Sequence, residues 1–300
     1  MITIKRMQVC SIADITKAWN RGFEGYFIPV SMTEELLLQR LAAESYVPSL
    51  SVVAYDGDEP IGLVANGLRT IDGKTVAWNG GTGVASAYRR RGVGRRLMEA
   101  SFELYREAGV EVATLEAISK NEQAIALYQQ LGYEIVDRLL FWQRTDALSE
   151  DAFRVGQVAS YQVKTVLPQE TARLSFYRAD VPWQNHWTSL RDAEALAVED
   201  SAGSPVGYAL YKRMWNEQGE VTAIVLRQCV AQPDHPDAET ILRLALDRLY
   251  APAELACRRS TFNLPASHSM LLRVLEDAGF GATETEQVLM VRNMEKAADR

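Results

Sequence analysis

The sequence is poor in the residues that build cross-links and metal centres. It holds three cysteines, Cys10, Cys229 and Cys257, and three histidines, His186, His235 and His268. An odd, scattered set of thiols excludes a disulfide framework, and no His or Cys pair has zinc-ligand spacing, so no metal is expected. A reducing, cytoplasmic setting suits such a chain. Long hydrophobic runs are also missing. No segment reaches the ~18 apolar residues of a membrane span, and the start, Met1 to Met7, lacks the apolar core of a signal peptide. Positive charge is in deficit, with 32 Lys and Arg against 39 Asp and Glu and a net charge of −7. Neither a nucleic-acid nor a membrane partner is therefore expected.

What is present is ordinary globular composition, 47% hydrophobic and 24% charged over 300 residues. That length suits two domains. In the first half, strands are expected at residues 2–7, 51–55, 61–68, 75–84, 110–117 and 133–142. Helices are expected at 11–20 and 33–43. Val93, Leu97, Ala100, Leu104 and Ala108 mark one face of a third helix, which stops at Gly109. Ser119 and Glu122 have capping-box spacing ahead of a fourth. The polar stretch 146–156 reads as a linker, giving domains at 1–145 and 157–300.

The second half echoes the first. Ser204-Pro-Val-Gly207 follows Glu59-Pro-Ile-Gly62 by 145 residues, and Leu275-Glu-Asp-Ala-Gly-Phe280 follows Tyr128-Gln-Gln-Leu-Gly-Tyr133 by 147. This is the signature of an internally duplicated domain.

The chemistry concentrates after the strand at 75–84. Trp78-Asn-Gly-Gly-Thr-Gly-Val84 holds three glycines, which in a strand mark a bulge or the close approach of a ligand or backbone. A short loop, Arg89-Arg-Arg-Gly92-Val-Gly94-Arg95, then opens a helix. Glycines there let unpartnered helix-start N–H groups approach a phosphate. The loop lacks both the Walker lysine and the three-glycine dinucleotide pattern.

With Asn121 and Tyr128 in Asn-Glu-Gln-Ala-Ile-Ala-Leu-Tyr-Gln-Gln-Leu-Gly-Tyr133, this loop resembles the GNAT superfamily of acyl-CoA-dependent N-acyltransferases. The resemblance implies an α/β fold (α+β in some schemes) of two tandem GNAT-like domains, each a mixed, mostly antiparallel twisted sheet flanked by helices. It implies acetyl-CoA as acetyl donor. Arg89, Arg90, Arg91, Gly92, Val93, Gly94 and Arg95 would supply the pyrophosphate cradle. Val84 would bond the pantetheine and the acetyl oxygen, and Asn121 the cofactor arm. The strands at 75–84 and 110–117 would part to admit pantetheine. Tyr128 would sit by the sulfur as a proton donor. Glu24, in the acceptor-side loop 23–29, and Glu116, at a strand end, are the candidate bases. Phe23, Tyr26 and Phe27 are candidate acceptor-pocket walls. Each also has a structural alternative: Tyr128 as a core aromatic, Asn121 as a helix-start residue, the glutamates as solvated carboxylates.

The second half departs from the pattern. Its loop reads Pro236-Asp-Ala-Glu-Thr-Ile241, without glycine, while His268 and Leu275 stand where Asn121 and Tyr128 would be. It is expected to be a degenerate copy without a cofactor site. The expected activity is acetyl transfer to a primary amine of a small molecule. A protein lysine or N-terminal acetyltransferase and a non-catalytic acyl-CoA sensor are the alternatives. Oligomeric state, a homo-oligomer included, stays open.

Overall fold

A computed structural model describes residues 1–28, 30–156, 161–190 and 192–294. Pro29, in the expected acceptor-side loop, and Gln157, the expected start of the second domain, lie outside the described residues. The chain forms two compact units. One comprises Met1–Ala117, Asn121–Val136 and Leu289–Arg300; the other comprises Ile118–Lys120 and Asp137–Val288.

The first half runs β1 (Ile2–Arg6), α1 (Ile12–Gly22), α2 (Glu34–Ala43), β2 (Val52–Asp56), β3 (Glu59–Ile71), β4 (Lys74–Val84), α3 (Val93–Glu107), β5 (Val112–Ile118), α4 (Glu122–Gln130) and β6 (Glu134–Arg144). The second runs β7 (Gln162–Val166), α5 (Pro168–Thr171), β8 (Glu194–Glu199), β9 (Pro205–Trp215), β10 (Val221–Ala231), α6 (Ala238–Tyr250), β11 (Arg258–Thr261), β12 (Leu264–Pro265), α7 (Ser269–Asp277) and β13 (Gly281–Asn293).

Helix starts follow capping chemistry. The Ser11 hydroxyl accepts the Asp14 N–H at 3.0 Å and opens α1, and Thr33 does the same for α2 through Leu36 at 3.2 Å. The capping box expected at Ser119 does not form. Strand β5 persists to Ile118, so the chain turns helical later, and Asn121 is the cap, its Oδ1 accepting the Ala124 N–H at 3.3 Å. Strand β3 outruns its expected end at 68 and reaches Ile71, because Asp72 and Gly73, both at positive φ, form the tight turn into β4.

The two units share one ladder pattern. In the first, β1–β2, β2–β3 and β3–β4 pair antiparallel and β4–β5 parallel. In the second, β7–β8, β8–β9 and β9–β10 pair antiparallel and β10–β11 parallel. Gly62 faces Val84 across one ladder and Gly207 faces Ala231 across the other. A Cβ on Gly62 would come within 2.6 Å of the Gly83 carbonyl oxygen, and one on Gly207 within 2.3 Å of Ile241. Neither position has room for a side chain, though the nearest obstacle is strand backbone at Gly62 and the α6 side chain of Ile241 at Gly207.

A strand segment from the opposite half of the sequence completes each unit. Residues 139–144 of β6 pair with β11 and β12 in the second unit. The end of β13 belongs to the first unit. There Met290 is fully buried and the Met294 N–H donates to the Glu111 carbonyl at 2.9 Å. Arg292 donates to the Leu131 carbonyl and lies 4.1 Å from the centre of the Phe102 ring.

The first unit buries Trp19, Leu63, Val64, Ala77, Leu97, Met98 and Leu115. One polar knot is fully satisfied inside it. Asn66 donates to the Leu50 carbonyl at 2.7 Å and accepts from the Tyr105 hydroxyl at 2.7 Å. Since Asn66 pairs with Asn79 of β4, this knot fixes the strand facing the glycine-rich segment.

Candidate acyl-CoA site of the first unit

The glycine-rich end of β4 is a bulge. Ala65 pairs with Gly81 and Asn66 with Asn79, which leaves Gly80 as the extra residue. Asn79 braces it, accepting the Gly81 N–H at 3.1 Å and donating to the Thr82 hydroxyl at 2.8 Å. The glycines are needed for packing. A Cβ on Gly83 would sit 3.0 Å from the Gly22 backbone at the end of α1, and one on Gly81 3.0 Å from the Trp19 ring.

The bulge is also where the sheet opens. β4 and β5 pair from Val76–Val112 to Asn79–Leu115, and no further pair joins them. Beyond it β4 continues to Val84 and β5 to Ile118. A gap between two strand ends leaves backbone N–H and C=O groups facing it without ladder partners, a natural slot for an extended polar ligand.

At the mouth of this gap lies the loop 89–95. Arg90 (φ 60°) and Gly92 (φ 77°) are both left-handed, and Gly92 opens α3. Successive N–H groups in such a turn, followed by a helix start, form an anion-binding concavity. Gly94 keeps it narrow: a Cβ there would touch Leu127 at 3.4 Å and Val84 at 3.8 Å. The shape and donor set fit a pyrophosphate, with Val93 as the first residue of α3.

The arginines divide their work. Arg89 folds back to donate to the carbonyls of Val84 at 2.9 Å, Glu24 at 2.8 Å and Gly22 at 3.2 Å. It therefore ties the loop to the ends of β4 and α1, and takes up the Val84 carbonyl. Arg95 bonds Gln130 at 2.6 Å, and Arg91 stacks 5.8 Å from the centre of the Tyr88 ring. Arg90 is exposed.

Tyr128 is buried on α4 and meets Tyr133 edge-on at 6.0 Å. Burial pushes its phenol up to about 12, against side-chain hydrogen bonds from Thr82 and Asn79 that pull it down. The group thus keeps its proton at neutral pH and reaches the β4 side of the gap. Asn121 caps α4, and Tyr26 has a phenol that burial pushes up against a smaller downward pull from Asn121.

Of the two glutamates, Glu116 is the first β5 residue past the last β4–β5 pair and accepts the Trp78 indole N–H at 2.6 Å. Glu24 is exposed and meets the Ser86 hydroxyl at 3.5 Å, beside the loop. Phe23 packs on Trp19 at 4.7 Å and on Tyr26 at 5.3 Å, while Phe27 is 55% exposed. Sequence reasoning missed Thr82 and Asn79, the Tyr128 partners, and Trp78. Their signal was the bulge itself, which turns alternate β4 side chains out of register.

The comparisons fit this geometry. Residues 12–133 match the family model described as Acetyltransferase (GNAT) family. Residues 12–133 thus read as a GNAT acetyltransferase domain, which supports acyltransferase chemistry in the first half of the chain. No curated protein sequence matches the chain. A tandem GNAT protein from the clavulanic acid biosynthesis pathway has a similar fold. Its TM-score is 0.63 at 17% identity, covering 98% of this chain and 98% of that one. A GCN5-related N-acetyltransferase from Sphaerobacter thermophilus gives 0.64 at 15%, covering 98% and 96%. One from Kribbella flavida gives 0.62 at 17%, covering 99% and 72%. The fold is thus that of two tandem GNAT-like domains. No helix among the described residues is long and apolar enough to cross a membrane, and none of their His, Cys, Asp and Glu side chains cluster as a metal site.

Proposed function

We propose that the first domain transfers acetyl from acetyl-CoA to the primary amine of a small molecule. The observation that carries this reading is the parting of β4 from β5 at the Gly80 bulge, with the left-handed loop at its mouth. Acetyl-CoA supplies an activated acetyl thioester.

The chain's own residues then divide the proton work by face. Asn79 contacts Met98 of α3, so Asn79, Thr82 and Tyr128 work from the α3 side. Trp78, one residue before Asn79, projects from the opposite face of β4, where its ring stacks on Tyr46 and its indole meets Glu116. Glu116 binds the incoming ammonium and takes a proton from it, directly or through water, leaving a neutral amine to attack. N–H groups at the end of β4 steady charge on the acetyl oxygen. Tyr128, protonated, donates to the departing thiolate, and the second amine proton, released as the amide forms, restores the phenol. The Arg90–Arg95 backbone holds the pyrophosphate, and Arg89 keeps that backbone in place. Glu24 stands at the rim, and Asn121 beside the cofactor arm.

The test is a panel of small amines with free-thiol release as readout. Acetyl-CoA-dependent thiol release with at least one small amine is expected. Acetylation of protein lysines or N-termini alone would replace the acceptor, and acetyl-CoA binding without turnover on any amine would leave a sensor.

A further inference from the structure

Trp78 stands out because so much fixes it. Its backbone is paired on both sides, to Gly67 of β3 and to Thr114 of β5. Its ring is 2% exposed and stacks on Tyr46, with centroids 5.3 Å apart and planes at 23°. The Tyr46 hydroxyl in turn donates to the carbonyl of Gly80, the bulge residue, at 2.9 Å. Gly80 itself must lack a side chain, since a Cβ would come within 2.4 Å of both the Trp78 ring and the Tyr46 hydroxyl. Bulge, indole and phenol are one packed assembly.

That assembly aims a single polar atom at the gap. An indole N–H only donates, and at 2.6 Å it donates to Oε2 of Glu116. A charge-assisted bond of this length is among the stronger kinds and fixes direction as well as distance. Glu116 stands at the apex, one residue past the last β4–β5 pair, where a freely rotating carboxylate would sample several rotamers. A packed core ring is an efficient clamp because its own rotamer is already locked.

We infer that Trp78 is a positioning residue. Its indole N–H holds the Glu116 carboxylate at the apex of the β4–β5 gap, so that a primary amine arriving as a cation on that face of the sheet meets a pre-aimed anion. This rests on the acetyl-transfer reading above and adds to it the device that orients the acceptor.

The test uses the full chain and three variants. Trp78→Phe keeps an aromatic ring on Tyr46 but removes the donor. Glu116→Gln removes the charge, and the double variant closes the cycle. Trp78→Phe is expected to bind acetyl-CoA as the wild type does, yet to lose roughly 10- to 100-fold in kcat/KM for the amine, the cost of a misplaced group. Glu116→Gln should lose at least as much, and the double variant no more than Glu116→Gln. With indole nitrogens labelled, the resonance missing from Trp78→Phe identifies Trp78, and it should move upfield in Glu116→Gln. Wild-type acceptor kinetics in Trp78→Phe, losses that multiply in the double variant, or an unmoved Trp78 resonance would each overturn the proposal. A wild type that binds acetyl-CoA and acetylates no amine takes down the acetyl-transfer reading and this proposal together. An active wild type with a silent Trp78→Phe overturns this proposal alone.

Discussion

The two units keep the same ladder and treat its open end differently. In the first, the positions just past the last parallel pair are Gly80 and Gly81 on β4 and Glu116 on β5. In the second, parallel pairing ends at Leu226–Thr261, and the β9–β10 register slips at the same place, with Arg227 as the extra residue. The corresponding positions are therefore Arg227, Gln228 and Phe262. Arg227 lies 4.2 Å from the centre of the Phe262 ring. Gln228 donates to the Asn185 carbonyl at 2.8 Å and accepts from the Tyr208 hydroxyl at 2.7 Å. The Asn185 amide donates to the carbonyls of Phe262 at 2.8 Å and Asn263 at 3.2 Å. Long side chains of the second unit thus fill the space past its last parallel pair, where β4 of the first unit presents glycines and the Trp78–Glu116 bond stands at the apex. One frame stays open where its strand ends are glycine, and closes where they carry long polar side chains.

The most disruptive way to break this comparison is to remove the strand segment that completes the first unit. Truncation after Val288 deletes Met290, the Arg292 bond to Leu131 and the Met294 bond to Glu111. Loss of one buried methionine alone costs about 2–5 kcal/mol, a large part of a domain's stability. The expected result is loss of cooperative unfolding by circular dichroism and of acetyl-CoA binding. A truncated chain that melts and binds like the full one would show that the first unit is complete without β13.

Next in size is Tyr128→Phe. The ring stays packed on Tyr133 and the proton donor goes. Turnover should fall roughly 10²-fold, the lower end for general acid catalysis, with acetyl-CoA affinity unchanged. Wild-type thiol release would reduce Tyr128 to a packing residue.

Asn185→Ala sharpens the second half of the comparison. It leaves the buried carbonyls of Phe262 and Asn263 without a side-chain donor, at a cost of about 1–3 kcal/mol. Chemical denaturation should report that loss, and the variant should still gain no acetyl-CoA site, because the loop 236–241 has no glycine. An additional binding site in Asn185→Ala would mean that the bridge alone kept ligand out.

The smallest effect concerns His268, which stands where the first unit has Asn121. Its Nε2 meets Nη1 of Arg178 at 2.8 Å, and burial and that guanidinium hold its pKa below the usual 6.5. A depressed pKa gives stability that is present above 6.5 and lost as pH falls toward the folded value. Melting temperature should therefore drop between pH 7 and pH 5, and drop less in His268→Gln, which keeps an acceptor for Arg178. Parallel curves would show that His268 does not titrate with folding.

Much of this was legible in the sequence because it is local. The apolar period set α3, Gly92 and Gly94 marked the loop, and the repeats of Gly62 by Gly207 and Tyr128 by Leu275 exposed the duplication. What stayed hidden depends on contacts far apart in the chain. Arg89 reads as a phosphate ligand beside two glycines, yet the carbonyls it holds come from Gly22 and Glu24 as well as the end of β4. Asn185 lies in a stretch with no periodicity, and only the fold brings it to Gln228 and Phe262. The strand segment at 289–293 looks like the end of the second half, since no local pattern tells a strand which sheet it joins.

The most direct test of the account is the stoichiometry of acetyl-CoA binding to the intact chain by calorimetry, repeated with Gly94→Glu. The variant places a carboxylate where a Cβ already touches Leu127 and Val84, at the mouth of the loop. One equivalent bound by the wild type, and none by a folded Gly94→Glu, is the predicted result. Two equivalents per chain, or undiminished binding in the variant, would contradict it.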